Sequence, residues 1–254
     1  MGILTHLPLP RLIWTPIIKL FAQAYHINLE EAEKPVEEYT SLGDFFVRRL
    51  KPGVRPLGTT WNTHPADSVI TQAAVIQGGR LIQAKNKTYH VNDLLADPQG
   101  LSKYEEGVFL TYYLCPTDYH RVHSPVTGVI QKITHIPGQL WPVNAWSTEN
   151  IPELFSVNER VCVEIKTDRG LVNVVFVGAT NVGQIQLFVD SEIHGNQLVL
   201  SKNLVKDSLN IPIEKGQELG QFRMGSTVVM LYQKGQVQGA EALRGRAVRV
   251  NSSF

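Results

Sequence analysis

Val174-Val175-Phe176-Val177 is a short, unbroken apolar run, and it reads as a β-strand covered on both faces. A little upstream, Val161, Val163 and Ile165 alternate with Cys162, Glu164 and Lys166. That period of two predicts a half-buried strand, with Cys162 as a packed small side chain rather than a reactive thiol. Similar β-rich runs broken by Gly, Pro, Asn and Asp recur from about Val69 onward: 69–76, 108–114, 129–136, 160–167, 172–178, 184–189 and 227–233. No repeat, low-complexity tract or linker divides them. The expected fold class is therefore α+β, mainly β, with an antiparallel β-rich core occupying residues 51–254.

Residues 1–50 differ and are read as a separate N-terminal amphipathic helical segment. Thr15-Pro16 is the expected N-cap and first helical residue, and Ile17, Ile18, Leu20, Phe21, Ala24 and Tyr25 follow at helical spacing. Pro8, Pro10, Arg11, Pro16 and Lys19 interrupt the apolar stretch, so it lacks the roughly 20 uninterrupted apolar residues of a spanning helix. Ser41 is expected to cap a second helix with Leu42, Phe45, Phe46 and Leu50 as its stripe and Arg48, Arg49 and Lys51 toward its end. Two readings compete for these helices. Amphipathic helices usually pack on a core; alternatively Leu12, Ile13, Trp14, Ile17 and Phe21 lie in a membrane interface with basic residues near anionic headgroups.

Composition narrows the function. A chain of 254 residues, 43% hydrophobic and 19% charged, is ordinary globular protein. A formal net charge of +1 argues against nucleic-acid binding through a broad basic field. Cys115 and Cys162 lack metal-type spacing and no secretory signal opens the chain, which reads as a reducing, cytoplasm-facing setting.

Chemistry-bearing residues fall in separated motifs. Met224-Gly225-Ser226-Thr227 offers a hydroxyl after a small residue, His64-Pro65-Ala66-Asp67 a carboxylate, and Asp118-Tyr119-His120-Arg121-Val122-His123 two imidazoles. A serine hydroxyl is a weak nucleophile until a histidine takes its proton and a carboxylate orients that histidine. An ordinary serine hydrolase is disfavoured because the Gly-x-Ser-x-Gly elbow is absent: residues 223–227 read Arg-Met-Gly-Ser-Thr. His120 and His123 have spacing compatible with metal ligands, but no third and fourth ligand stands out. Lys215-Gly216-Gln217-Glu218-Leu219-Gly220 resembles the β-turn segments of lipoyl- and biotinyl-carrier modules, yet lacks their Met-Lys or Asp-Lys attachment pair.

These motifs are joined by Phe46-Val47-Arg48-Arg49-Leu50-Lys51-Pro52-Gly53-Val54-Arg55-Pro56, Lys87-Thr88-Tyr89, Asp93-Leu94-Leu95, Asn158-Glu159-Arg160-Val161 and Val177-Gly178-Ala179-Thr180-Asn181-Val182-Gly183. With them the chain resembles the bacterial phosphatidylserine decarboxylase proenzymes over nearly its whole length. The resemblance implies that Ser226 attacks the carbonyl of Gly225, whose missing Cβ permits close approach and an unusual backbone conformation. Amide becomes ester, β-elimination releases the Gly225 carboxylate, and loss of ammonia leaves a pyruvoyl group derived from Ser226. The products are a large chain ending at Gly225 and a small one continuing from Thr227. The resemblance also implies Asp67, His123 and Ser226 as the cleavage triad and His120 as the acid–base group of decarboxylation. Tyr113 is a weaker candidate by matched position, more simply read as a packed strand aromatic.

In such an enzyme the pyruvoyl group forms a Schiff base with phosphatidylserine and acts as the electron sink for loss of CO2, without pyridoxal phosphate or metal. Implied partners are phosphatidylserine, a membrane surface and the two processed chains; a homo-oligomer is compatible, nucleic acid is not expected. The implied location is peripheral, on the cytoplasmic side of the cell membrane. Two positions depart from the family pattern. Met224 replaces leucine at little cost, and Ser68 replaces a glycine. If that glycine needs positive φ, serine strains the turn that carries Asp67. An uncleaved, inactive proenzyme or a carrier-like binding module is the alternative reading.

Overall fold

The computed structural model describes residues 10–84, 86–180, 185–190, 202–223 and 226–254. Met224, Gly225 and the stretch 181–184 of the motifs above lie outside the described residues. Numbered along the chain, the strands are β1 (Ser68–Val75), β2 (Arg80–Ala84), β3 (Lys87–His90), β4 (Val108–Leu114), β5 (Arg121–His123), β6 (Gly128–Ile136) and β7 (Arg160–Thr167). They continue as β8 (Gly170–Val177), β9 (Ile185–Leu187), β10 (Leu204–Lys206), β11 (Ile211–Ile213), β12 (Glu218–Phe222), β13 (Ser226–Tyr232) and β14 (Ala247–Val248). The first four α-helices are α1 (Arg11–Ala24), α2 (Leu42–Phe46), α3 (Val91–Leu95) and α4 (Gly100–Tyr104). A nine-stranded sheet runs in the order β10-β6-β7-β8-β13-β4-β1-β14, with β11 also on β6; β5-β12-β9 form a second sheet and β2-β3 a hairpin. Every described strand pair is antiparallel. The architecture is mainly β, as expected from the short runs.

The centre of the large sheet is its most apolar part. Val174, Val175, Phe176 and Val177 of β8 are buried on both faces, as the uninterrupted run predicted, and so is all of β13. Strand β7 differs from expectation in part: Lys166 is exposed, but Cys162 and Glu164 are buried, as is Arg160 at its start. Helices α3 and α4 supply the reason. Arg160 donates to the carbonyls of Leu94 (2.6 Å) and Asp93 (2.6 Å), and Glu164 accepts from Lys103 of α4 at 2.9 Å. Those polar groups are buried because each finds a partner in the covering helices.

Helix α1 starts from Pro10 rather than at Thr15. Pro16 therefore sits inside it, close enough to the start that its missing N–H forgoes only the bond to the Leu12 carbonyl. Trp14, Ile18 and Ala22 face inward onto Val36, Tyr39 and Phe45, a cluster separate from the main core. The opposite face is also apolar: Leu12 and Leu20 are 87% and 68% exposed, with Ile13 and Ile17 beside them. Helix α2 begins as expected, with Ser41 Oγ accepting from the Asp44 N–H at 3.0 Å. It ends before Leu50, which instead makes a β-bridge with Ala32.

Asn158 anchors the irregular segment before β7. Wholly buried, it accepts from the Trp141 N–H (3.1 Å) and donates to the carbonyls of Trp141 (2.9 Å) and Gly178 (2.9 Å). Asn158→Ala strands those backbone groups and is expected to lower stability by roughly 2–4 kcal/mol, read as a lower urea midpoint at unchanged m-value.

Candidate active site

The strand register brings the separated motifs to one end of the large sheet. Thr227 of β13 stands between Val177 of β8 and Tyr113 of β4, and Tyr113 in turn lies opposite Val69 of β1. Ser226 begins β13 opposite Leu114, the last residue of β4. Asp67 immediately precedes β1 at the same end. From Leu114 the chain passes through residues 115–120 into β5, where the His123 N–H donates to the Pro65 carbonyl (2.9 Å) and the His120 carbonyl accepts from Phe222 (3.0 Å). Two strand spacings, about 10 Å in the sheet plane, separate the backbones of β13 and β1.

Ser226 is wholly buried and its Oγ has no hydrogen-bond partner among the described residues. His120 is equally buried, its ring centroid 4.0 Å from that of Phe46. Its Nδ1 lies 2.9 Å from the Asp118 carbonyl. A carbonyl only accepts, so Nδ1 carries the proton and Nε2 keeps a lone pair, which has no partner among the described residues. His123 is held in the same tautomer by the Gly216 carbonyl (2.8 Å), and its Nε2 takes a hydrogen bond from the Tyr119 hydroxyl (3.2 Å). Burial pulls the His120 pKa down to about 3 and also lowers that of His123. Both imidazoles are neutral acceptors at neutral pH.

Asp67 is committed elsewhere. Its carboxylate accepts from Arg55 Nε (3.1 and 3.2 Å) and Nη2 (2.6 Å), from Arg249 Nη1 (3.0 Å) and from the Val250 N–H (2.8 Å). The structure thus gathers Asp67, His123, His120 and Ser226 at one sheet end, while no side-chain hydrogen bond among them is present. Asp67 acts on the histidines through its charge, which favours the protonated form of each. Tyr113 is half-buried in β4 and packs against the core, its phenol raised in pKa by burial. Ser68 opens β1 opposite Val248 without positive φ, so the strain expected on condition of a left-handed turn does not arise.

Sequence reasoning missed the partners: Arg55, Arg249, Tyr119 and the Gly216 carbonyl. Arg55 stood within a quoted motif, but nothing in its spacing names Asp67 as its acceptor. Arg249 carried no signal at all, because its contact spans nearly the whole core domain.

A buried serine hydroxyl at the same sheet end as two neutral imidazoles brings together the residue types of acid–base and nucleophilic chemistry. A family model for phosphatidylserine decarboxylase matches residues 42–254. The phosphatidylserine decarboxylase proenzyme of Myxococcus xanthus strain DK1622 is 39% identical over 250 residues, covering 97% of this chain and 88% of that protein. That of Saccharophagus degradans is 38% identical over 231 residues (89% and 81%), and that of Shewanella sp. strain ANA-3 is 39% identical over 249 residues (94% and 85%). The chain belongs to the phosphatidylserine decarboxylase family.

The neutral imidazoles make stability depend on pH. His64, stacked on Phe254 and bonded to the Tyr112 hydroxyl, is drawn down by burial to about 4, joining His120 and His123. With folded values below the ordinary 6.5, the unfolded chain binds protons first as pH falls. Their contribution is intact above about pH 6.5 and shrinks on the acid side by about 1.4 kcal/mol per pH unit per group until the folded groups titrate. Urea midpoints are expected to fall steadily between about pH 6.5 and 4.5, less steeply in His120→Gln. A flat profile in both proteins would remove this account.

Proposed function

We propose that the chain is a self-processing phosphatidylserine decarboxylase that cuts itself between Gly225 and Ser226 and works at a membrane surface. The observation that carries this reading is the buried Ser226 hydroxyl at the start of β13, without a hydrogen-bond partner among the described residues, with neutral imidazoles at the same sheet end. Ser226 Oγ attacks the Gly225 carbonyl carbon; the C–O bond forms as the C–N bond breaks. The proton lost from Oγ passes by way of His123 to the Ser226 nitrogen. Asp67 favours the imidazolium that develops in that transfer, and the Tyr119 hydroxyl, now on Nε2, must yield that lone pair.

Removal of the Ser226 α-proton then expels the Gly225 carboxylate, and hydrolysis with loss of ammonia leaves the pyruvoyl group. The residues present fit it: Ser226 Cβ becomes a methyl as its oxygen leaves with the Gly225 carboxylate, which breaks no hydrogen bond since Oγ makes none among the described residues, and the keto oxygen takes the place of the lost nitrogen on Cα. When formed, the group supplies an electron sink for the bond broken in decarboxylation. His120, neutral and with Nε2 unpartnered among the described residues, is the group that holds and returns the proton to the substrate carbon. Tyr113 has a packing role in this reading.

Membrane association falls to the outer face of α1. The two readings of this helix divide by face: Trp14 and Ile18 pack inward, while Leu12, Ile13, Ile17 and Leu20 face outward. No helix among the described residues is long and apolar enough to cross a membrane. An apolar stripe of this kind suits insertion to headgroup depth on the cytoplasmic side.

Intact mass under denaturing conditions tests the processing. Wild type is expected to give two chains, the smaller lighter by one ammonia than hydrolysis predicts, and Ser226→Ala one inactive chain. His123→Ala is expected to block cleavage. His120→Ala is expected to cleave but lose about 100-fold or more in decarboxylation; full decarboxylation by Ser226→Ala would end the cofactor assignment. For the helix, Leu12→Gln with Leu20→Gln is expected to weaken liposome binding at unchanged thermal stability. Ile18→Ala, on the packed face, is expected to cost about 2–4 kcal/mol of stability instead.

A further inference from the structure

Arg48 differs from the other buried arginines. Arg160 donates from Nε, Nη1 and Nη2 to the carbonyls of Leu94, Asn158 and Asp93, and Arg55 donates to Asp67, Glu31 and the Val54 carbonyl. Arg48 is just as enclosed, 6% exposed, yet only Nη2 is engaged, 3.3 Å from the Thr117 carbonyl. Its Nε and Nη1 have no partner among the described residues. Its guanidinium carbon lies 5.0 Å from the Phe45 ring centroid, and no ion pair to it is found among the described residues. A guanidinium does not give up its proton near neutral pH. A buried charge with unmet donors is costly unless an anion joins it.

Room for one adjoins it. Arg48 lines a cavity of about 240 Å³ with Arg49, Arg121, Lys34, Glu33 and Asp44. Asp44 is engaged by the backbone N–H and hydroxyl of Thr40, and Glu218 is shared by Arg121 (2.7 Å) and Arg49 (3.9 Å). The four cations still outnumber the carboxylates Glu33, Asp44 and Glu218. Neighbouring residues link the cavity to the sheet end that carries Ser226. Phe46, two residues before Arg48, packs on His120, and the Thr117 carbonyl belongs to the loop that leaves Leu114, the partner of Ser226. In phosphatidylserine a single methylene separates the amine-bearing carbon from the phosphate ester oxygen.

We propose that the cavity over Arg48 is a phosphodiester-oxyanion subsite that holds the headgroup phosphate of the phospholipid substrate, with Arg48 as its buried donor. This assignment rests on the decarboxylase reading above. Charge-assisted, multiply donated hydrogen bonds from a guanidinium suit phosphate oxygens, and the site keeps the phosphate near His120 without occupying Ser226.

The test compares wild type with Arg48→Met and Arg48→Lys, using dihexanoyl phosphatidylserine as substrate, glycerophosphoethanolamine as headgroup probe and inorganic phosphate as the bare anion. Both variants are expected to self-cleave by intact mass. Arg48→Met is expected to raise KM about 10- to 100-fold with kcat within about threefold, and Arg48→Lys to recover part of that loss. Glycerophosphoethanolamine is expected to compete in wild type and poorly in Arg48→Met, and inorganic phosphate to raise Tm in wild type alone. An Arg48→Met enzyme that cleaves and keeps wild-type KM overturns the headgroup assignment; if phosphate still stabilises wild type only, the subsite serves the free anion. Should Arg48→Met not fold, Lys34→Gln and Arg49→Gln on the exposed rim carry the test, with KM expected to rise about two- to fivefold; no rise in either overturns the proposal. Phosphate stabilisation without any turnover of phosphatidylserine by wild type overturns the functional reading and leaves the anion subsite in place.

Discussion

One buried carboxylate holds the active end of this protein together. Asp67 is nearly inaccessible to solvent and is shared by Arg55, Arg249 and the Val250 N–H. Arg55 also pairs with Glu31 at 2.9 Å, so the same cluster reaches into the N-terminal segment. A buried ion pair of this kind adds little net stability over an apolar substitute, but losing one partner leaves an uncompensated charge, a loss of roughly 3–5 kcal/mol. The cluster links distant parts of the chain. It ties three stretches remote in sequence to the end of β1, where the histidine loop and Ser226 converge.

The position of β13 gives the proposed self-cleavage a simple structural logic. The cut falls where the chain enters the strand, and β13 is paired on both sides from Thr227 to Tyr232, to β8 and to β4. Severing the backbone there removes none of those ladders. Downstream, β14 pairs with β1, while Arg249 and Val250 bind Asp67. A small chain released from its covalent link stays in the centre of the sheet, because its buried strand and ion pairs hold it there rather than the peptide bond.

In the proposed reading, two features of the N-terminal segment take the lipid side of the chemistry. Helix α1 is apolar on both faces, and only one of them is needed for packing on Val36, Tyr39 and Phe45. Between that helical segment and the sheet end lies the Arg48 cavity, whose guanidinium is buried without an anion among the described residues. In that reading the headgroup phosphate is held there and the acyl chains lie along the outer face of α1.

Much of this was legible in the sequence. Short apolar runs such as 174–177 determined buried strands, because no other element satisfies so brief a stretch of β-branched residues, and several strand limits were read to within a residue or two. Ser41 as a cap was likewise visible locally, whereas Asp67, His120, His123 and Ser226 were singled out through the family resemblance. Only the tertiary structure decided the rest. The burial of Arg160 and Glu164 on β7 depends on helices α3 and α4 closing over them, which the alternation of residues does not reveal. The start of α1 at Pro10, the inward choice of Trp14 over Leu12, and the pairing of Asp67 with Arg55 and Arg249 rather than with His123 are likewise decided by packing. Local periodicity specifies which residues are apolar and which element they form; which partner a charge finds depends on chain segments that meet only after folding.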